Sequence, residues 1–512
     1  MEDIKTVSLG LNDSERYLGA LARRSFLSLW SHQNLYRDVS KELADLVVVC
    51  ENIVLIFSDK RVRFQNETDL KIAWPRWYNR AVLSSVKQLR RAEGWIKRQP
   101  ERIFRDAQCT ARLDFTCDLS KIEIHKIAVA NGAAEACLKH FSGGSGSLVV
   151  SPTEDPEKPE PFCVGNPAGE GDFVHVLDEA HLHIIMQELD TVVDFVEYLR
   201  SRRKIIENQN LVVSASEEDL LALYVKDINE SGDHDFVIRS GESLKPGSMI
   251  VVQEGSYKSL RDRSEYTNKK AADRISYFWD HLIEKFAKNL TAGTLAPIPE
   301  RLEGQDGRFG GAELALRYMA MERRLERRQH AEAILTAFDR LEETGGNRLF
   351  RAMLQENAKK ETGFCVLLMN RSIVPDEVPF EEYREFRCRT LSAYTEGLLE
   401  RNRHLKRIIG IATEGEKGGP RTEDLVYHEP PEWTTENVAS LREMEEIFEI
   451  FQSQIKYDRV SSLEYPESIK VGPSTFSPIP YHFVQRPARN EPVERRGNRR
   501  QRRAAAAKRR KK

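Results

Sequence analysis

The chain has 512 residues, a length that predicts about three or four domains of roughly 100–200 residues each. Hydrophobic residues make up 40% and charged residues 31%, which is typical of folded domains and excludes a disordered or fibrous protein. No stretch approaches the roughly 20 apolar residues of a membrane helix, and the first ten residues do not resemble a secretion signal. Seven cysteines without a Cys-x-x-Cys pair favour a reducing compartment. We therefore expect a cytoplasmic protein with no membrane partner.

Charge is distributed unevenly along the chain. Residues 484–512 carry thirteen Lys or Arg and two Glu, a net charge of +11, so the rest of the chain carries −13 of the overall −2. Such a run can neutralise several phosphates, and its candidate nucleic-acid-binding residues are Arg499, Arg500, Arg502 and Arg503. We expect a disordered basic tail that binds nucleic acid, with a solubilising end or a contact for an acidic partner as alternatives.

The first elements in chain order are a helix, two short strands and a second helix. An apolar stripe predicts a helix over 13–31. The runs 43–49 and 53–57 are rich in Val and Ile and apolar on both faces, so they predict a buried β-hairpin or two adjacent central strands. A basic helix is expected over 74–98.

Segments rich in proline and glycine, at 151–172 and 290–311, predict domain boundaries. A strand–helix–strand spacing in the second half is typical of a βαβ unit, and it follows a long charged helix expected over 312–343. The fold class expected is α/β and multidomain. Its parts would be an N-terminal α/β domain at 1–150, a mostly helical middle region at 173–290, a C-terminal α/β domain at 312–455 and the tail.

The polar ends of the two predicted strands carry the residues that suggest chemistry. Asp45 lies near the start of the first strand, and Ser58, Asp59 and Lys60 end the second. With a two-residue turn at 51–52, Asp45 lies opposite Ser58 and shares a face with Lys60. A turn one residue longer would bring Asp59 to the face of Asp45 and turn Lys60 away. The sequence leaves both registers open.

This arrangement resembles the PD-(D/E)xK nuclease superfamily, whose restriction-endonuclease-like fold places a helix before a β-hairpin. In that family an Asp on one strand and an acid-x-Lys on the next bind a divalent metal and orient water. The resemblance implies that Asp45 and Asp59 are metal ligands in the catalytic centre, and that Glu15 is a further ligand. It implies that Lys60 positions the attacking water. Gln88 matches a Gln that one subgroup adds on the following helix.

The resemblance, which covers 15–88, implies a metal-dependent endonuclease that hydrolyses phosphodiester bonds in DNA or RNA. The cofactor would be Mg²⁺ or Mn²⁺, the partner a nucleic acid with DNA preferred, and the context antiviral defence in bacteria or DNA processing. Carboxylate oxygens are the ligands that Mg²⁺ prefers, and the metal lowers the pKa of bound water.

The motif departs from the family at one position, because residue 58 is Ser where the family has an acid. Asp59 would replace that acid only in the shifted register. The alternative is a non-catalytic protein that binds nucleic acid or another partner through an inactive nuclease-like fold. Asp45 and Lys60 would then form a structural ion pair.

The helix expected over 74–98 combines aromatic and basic residues. Arg76, Arg80 and Arg90 are candidates for binding nucleic acid, since arginine binds phosphate and aromatic side chains such as those of Trp74 and Trp77 stack on bases. The alternative is a helix whose aromatic face packs into the core and whose basic face is solvated.

Overall fold

A computed structural model describes residues 13–113, 118–153, 155–239, 242–245, 247–295, 310–354, 360–416, 422–452 and 463–467. This part of the chain is mixed α/β, as the sequence predicts. No helix among these residues is both long and apolar enough to cross a membrane.

The helices and strands follow one another in three groups. The first contains α1 (Asp13–Phe26), β1 (Ser31–Asp38), β2 (Lys41–Cys50), β3 (Ile53–Arg61), α2 (Leu70–Tyr78), α3 (Ser84–Arg98), β4 (Glu123–Asn131), α4 (Ala134–His140), β5 (Val149–Val150), β6 (Cys163–Val164) and β7 (His175–Asp178). The second contains α5 (Glu179–Glu188), α6 (Val192–Glu207), β8 (Leu211–Ser214), α7 (Glu217–Lys226), β9 (Val237–Arg239), β10 (Glu242–Ser243), β11 (Ile250–Val252), α8 (Ser256–Arg261), α9 (Ser264–Ala272) and α10 (Tyr277–Ala292). The third contains α11 (Gly310–Ala320), α12 (Arg324–Thr344), β12 (Arg348–Met353), β13 (Thr362–Met369), α13 (Phe380–Arg401), β14 (Arg407–Thr413), β15 (Glu423–His428) and α14 (Thr435–Ile447).

The sheet of the first group has the order β1-β2-β3-β4-β7. Its first three strands are antiparallel neighbours, while β4 and β7 join in parallel. The predicted hairpin is confirmed, and its register runs from Cys50 opposite Ile53 to Leu46 opposite Phe57. Glu51 lies in the two-residue turn with φ of +53°. The first of the two open registers is therefore the observed one.

Both faces of this sheet are buried, which explains why its central strands are apolar throughout. Leu46, Phe57 and their neighbours on one face belong to the same apolar cluster as α1, α5 and α6. On the other face, Val47 and Ile56 pack with the aromatic side chains of α2 and with α3. Each such side chain, fully buried, contributes roughly 1.5–3 kcal/mol to stability. The apolar packing thus fixes which face each strand residue occupies.

Two N-terminal expectations need correction. The helix expected over 13–31 ends at Phe26, because Leu27 adopts a left-handed φ of +66°. Residues 31–38 then form β1, which the sequence does not predict, since most of its residues are polar and only Ser31 and Leu35 are buried. The helix expected over 74–98 starts earlier, at Leu70, and contains a π-helical turn at Asn79–Leu83.

In the third group the strand–helix–strand prediction is confirmed, because β13 and β14 are parallel neighbours joined by α13. The strands β12 and β15 flank them as antiparallel edges. The prediction of one continuous helix over 312–343 is wrong. The segment is divided into α11 and α12, since Arg323 interrupts it and its backbone N–H donates to the Glu326 carboxylate in a capping box.

The middle of the chain contains strands as well as helices. A small mixed sheet of order β11-β8-β5-β6 joins it to strands of the first group. One apolar cluster also extends from α1 through α6 and α10 to β15. The apolar packing is thus continuous across the three groups. The domain boundaries expected at 151–172 and 290–311 remain predictions.

Candidate functional site

The open end of the β2–β3 hairpin brings an acid and a lysine together. The last pair of the ladder is Leu46 opposite Phe57, and beyond it the Oδ2 atom of Asp45 accepts a 2.7 Å hydrogen bond from the backbone N–H of Asp59. The Nζ atom of Lys60 lies 3.5 Å from the same oxygen. Asp45 is buried, while the Lys60 side chain is 26% exposed. Asp45 and Lys60 therefore form a half-buried ion pair at the open end of the hairpin, between two inner strands of the sheet.

Gln88 joins this pair from α3. Its Nε2 atom donates to Oδ1 of Asp45 over 3.4 Å, and its Oε1 atom accepts from the Ser58 hydroxyl over 3.4 Å. The sequence places Gln88 here because α3 packs its apolar stripe, including Leu89, against β2, β3 and β4. Asp45, Ser58, Lys60 and Gln88 thus share one face of the sheet.

Asp59 projects toward the opposite face. Its carboxylate accepts 2.5 Å hydrogen bonds from the Ser14 hydroxyl at the start of α1 and from the Asn131 amide at the end of β4. Burial raises the pKa of Asp59 to about 6; the Ser14 hydrogen bond opposes this shift, and the charge of Asp45 adds to it. The sequence did not identify Ser14 and Asn131 as partners of Asp59. The available signal was Asn131, a polar residue at the end of β4, the strand that pairs with β3.

Glu15 lies beside β1 rather than in the group around Asp45. Its backbone carbonyl accepts a 2.7 Å hydrogen bond from the Gln33 side chain. The pKa of Tyr36, on β1, is raised first by burial and then by the charges of Glu42 and Glu15. Within the described ranges, no three His, Cys, Asp or Glu side chains are grouped as metal ligands. The structure therefore brings Asp45, Lys60 and Gln88 together, and it does not gather Glu15 and both aspartates into one donor cluster.

The candidate arginines of the basic helix differ in their surroundings. Arg76 and Arg80 are exposed. Arg90 donates to Asp172 over 2.8 Å and to a backbone carbonyl, so part of its guanidinium is engaged within the protein. Trp74 and Trp77 are buried and stacked on each other, with centroids 5.1 Å apart, so they pack into the core and do not present faces for bases. The tail candidates Arg499, Arg500, Arg502 and Arg503 lie outside the described residues.

Comparisons of the chain with protein-family models, with curated proteins and with solved structures give no match.

Proposed function

We propose that the protein is a divalent-metal-dependent nuclease that hydrolyses phosphodiester bonds in nucleic acid. The observation that carries the proposal is the convergence of Asp45, Lys60 and Gln88 at the open end of the hairpin. A carboxylate, an ammonium group and an amide can together hold a metal ion, orient water and bind an anionic substrate.

The surrounding fold supports this proposal. One helix, α1, precedes three antiparallel strands, and α2 and α3 lead into β4, which lies parallel to β3. The restriction-endonuclease-like fold has a helix before a hairpin in the same way. Because a likeness of fold is an association rather than a mechanism, it adds to the proposal without carrying it.

At the hairpin end, within the described part of the chain, the one carboxylate beside Lys60 that could hold a hard metal ion is that of Asp45. Mg²⁺ is commonly held by one or two carboxylates, with waters and substrate phosphate as the remaining ligands. Asp45 would be the protein ligand, because the Asp59 carboxylate points to the opposite face of the sheet, where Ser14 and Asn131 hold it. When bound, such an ion lowers the pKa of water and stabilises charge on the phosphate.

The protein's own residues would divide the remaining work. Lys60, on the face of Asp45 and partly exposed, can hold a water or a phosphate oxygen through its ammonium group. Gln88 fixes the orientation of the Asp45 carboxylate and is itself held by Ser58. These contacts position the acid before any substrate binds.

The test is a cleavage assay of the full chain on single- and double-stranded DNA and RNA with Mg²⁺ or Mn²⁺. EDTA and the Lys60→Ala variant should each abolish cleavage. The matched control is Lys121→Ala, which removes an exposed lysine paired with Asp118. Cleavage that survives Lys60→Ala would contradict the proposal.

A second function, non-catalytic binding of nucleic acid or another partner, is favoured by one observation. Ser58 occupies the face of Asp45 where an acid would supply a second metal ligand. In that case no metal would support cleavage, and the ion pair of Asp45 and Lys60 would be structural. Retention of nucleic acid without cleavage, lost on deleting 484–512, would select this alternative.

A further inference from the structure

A cavity of about 260 Å³ lies beside the hairpin end. Its wall includes Arg37, Lys41, Glu42, Leu43, Gln88 and Arg91. Gln88 belongs to both places, because it lines the cavity and also donates to Asp45. Leu43 and Asp45 are two residues apart on β2, so their side chains emerge on the same face of the strand. The cavity therefore adjoins the candidate site and shares Gln88 with it.

The cavity wall is basic, with three cationic side chains and one acid. Arg37 stacks on the Trp95 ring, its guanidinium carbon 5.4 Å from the ring centroid, which restrains its position. Arg91 donates through Nε to the Lys87 carbonyl over 3.0 Å, which fixes the stem of an otherwise exposed side chain. A planar guanidinium group can bind two phosphate oxygens at once through parallel N–H···O hydrogen bonds.

Lys41, the third cation, is already paired with Asp38 at 2.5 Å, but both partners are exposed. An exposed ion pair of this kind contributes little to stability, so an incoming phosphate can compete for the ammonium group. Lys41 precedes Asp45 by four residues, about 13 Å along an extended strand. A chain of phosphates that passes Asp45 would reach the cavity without a turn.

We propose that this cavity binds a backbone phosphate of the nucleic acid that flanks the phosphodiester at Asp45. This inference rests on the proposed function, since it assigns to Arg37, Arg91 and Lys41 the positioning of the substrate of that same site. Contacts of this type are made to phosphate rather than to bases, so they fix the register of the strand and carry no sequence preference.

The test measures binding of a fluorescently labelled 20-nucleotide single strand and of a 20-base-pair duplex by the full chain in EDTA. The variants are Arg91→Ala and the double variant Arg37→Ala/Arg91→Ala. We expect the double variant to bind about tenfold more weakly, and the slope of log K against log salt to fall by about 0.7–0.9 for each cation removed. The slope isolates the cavity even where other basic segments contribute to total affinity.

Two controls guard the result. Arg98→Ala removes an exposed cation from the last turn of the same helix and should leave affinity and slope unchanged. Arg91→Lys keeps the charge and should restore most of the binding lost in Arg91→Ala, with unchanged thermal melting in both. Unchanged binding in the double variant, or an equal loss in Arg98→Ala, would overturn the proposal.

The cleavage assay separates this proposal from the previous one. Binding that depends on Arg37 and Arg91, with no cleavage under any metal, would retain the phosphate site and reject the nuclease. Cleavage that depends on Lys60, with binding and KM indifferent to Arg37 and Arg91, would retain the nuclease and reject the phosphate site.

Discussion

The backbone N–H of Asp59 donates a 2.7 Å hydrogen bond to the Asp45 carboxylate, beyond the last residue pair of the β2–β3 hairpin. This bond ties the two strand ends together where the ladder has stopped. The register of the hairpin places the side chains of the two acids on opposite faces of the sheet, with Lys60 and Gln88 beside Asp45 and Ser14 and Asn131 beside Asp59. Both acids are buried, but the group around Asp45 includes the partly exposed side chain of Lys60.

The first prediction compares Asp45 with the residue that orients it. Gln88→Ala removes a partner of the carboxylate and should reduce the cleavage rate by about 10–100-fold, the usual effect of losing a group that positions a metal ligand. Asp45→Asn should reduce the rate further, because it removes the charge that the ion requires. The control is Gln65→Ala, at an exposed glutamine in the loop after β3. Equal rates for the wild type and Asp45→Asn, measured with gel-purified labelled DNA, would contradict the assignment.

The hairpin was predictable because it depends on local features: an apolar run on each side of a turn, with polar ends. Its register was not predictable, since two turn lengths were open and only the observed pairing of Cys50 with Ile53 selects between them. The strand β1 was not predictable, since 31–38 is mostly polar and becomes a strand only by pairing with β2. The hydrogen bonds of Asp59 were also hidden, because Ser14 and Asn131 are 117 residues apart and meet only in the folded sheet. Candidate catalytic residues could thus be named from the sequence, whereas their partners required tertiary structure.

The second prediction concerns a buried histidine between two acids. His181 Nδ1 lies 3.1 Å from Asp178 and its Nε2 lies 3.6 Å from Glu218. Burial by itself lowers the pKa of His181, but the two carboxylates outweigh burial and raise this pKa above its ordinary value. A histidine whose folded pKa is raised stabilises the protein fully below its unfolded pKa, and that contribution disappears as pH rises through the folded pKa.

As pH is raised from about 6 to about 9, the melting temperature of the wild type should therefore fall relative to that of His181→Gln. The matched control is His281→Gln, at an exposed histidine of α10, which should follow the wild type across the range. Thermal melts followed by circular dichroism provide the measurement. A difference between wild type and His181→Gln that stays constant with pH would show that packing, not protonation, sets the effect.

The third prediction uses two adjacent arginines of α6 that differ in burial. Arg202 is completely buried and forms a two-pronged ion pair with Glu217, with N–O distances of 2.6 and 2.8 Å. Arg203 pairs with Glu207 at the surface, with both side chains nearly half exposed. Removing one member of a buried pair leaves an uncompensated charge.

Arg202→Ala should therefore reduce the free energy of unfolding by about 3–5 kcal/mol. The neighbouring Arg203→Ala should reduce it by less than about 1 kcal/mol. Urea denaturation of both variants, followed by tryptophan fluorescence, measures the difference. Similar losses in the two variants would mean that the Arg202–Glu217 pair contributes no more than a surface pair.

The fourth prediction tests the packing of β14 against α13. A Cβ atom added to Gly410 would lie 2.9 Å from side-chain atoms of Leu391 and Thr395, closer than carbon atoms tolerate. Both neighbours are buried in the helix–sheet interface, so they can retreat only by disturbing it. Gly410→Ala should therefore reduce the free energy of unfolding by about 1–3 kcal/mol. Gly346→Ala is the control, since its added Cβ would meet no atom closer than 3.5 Å and should change stability far less. Equal stability of the two variants in urea denaturation would show that α13 can shift away from the sheet at little cost.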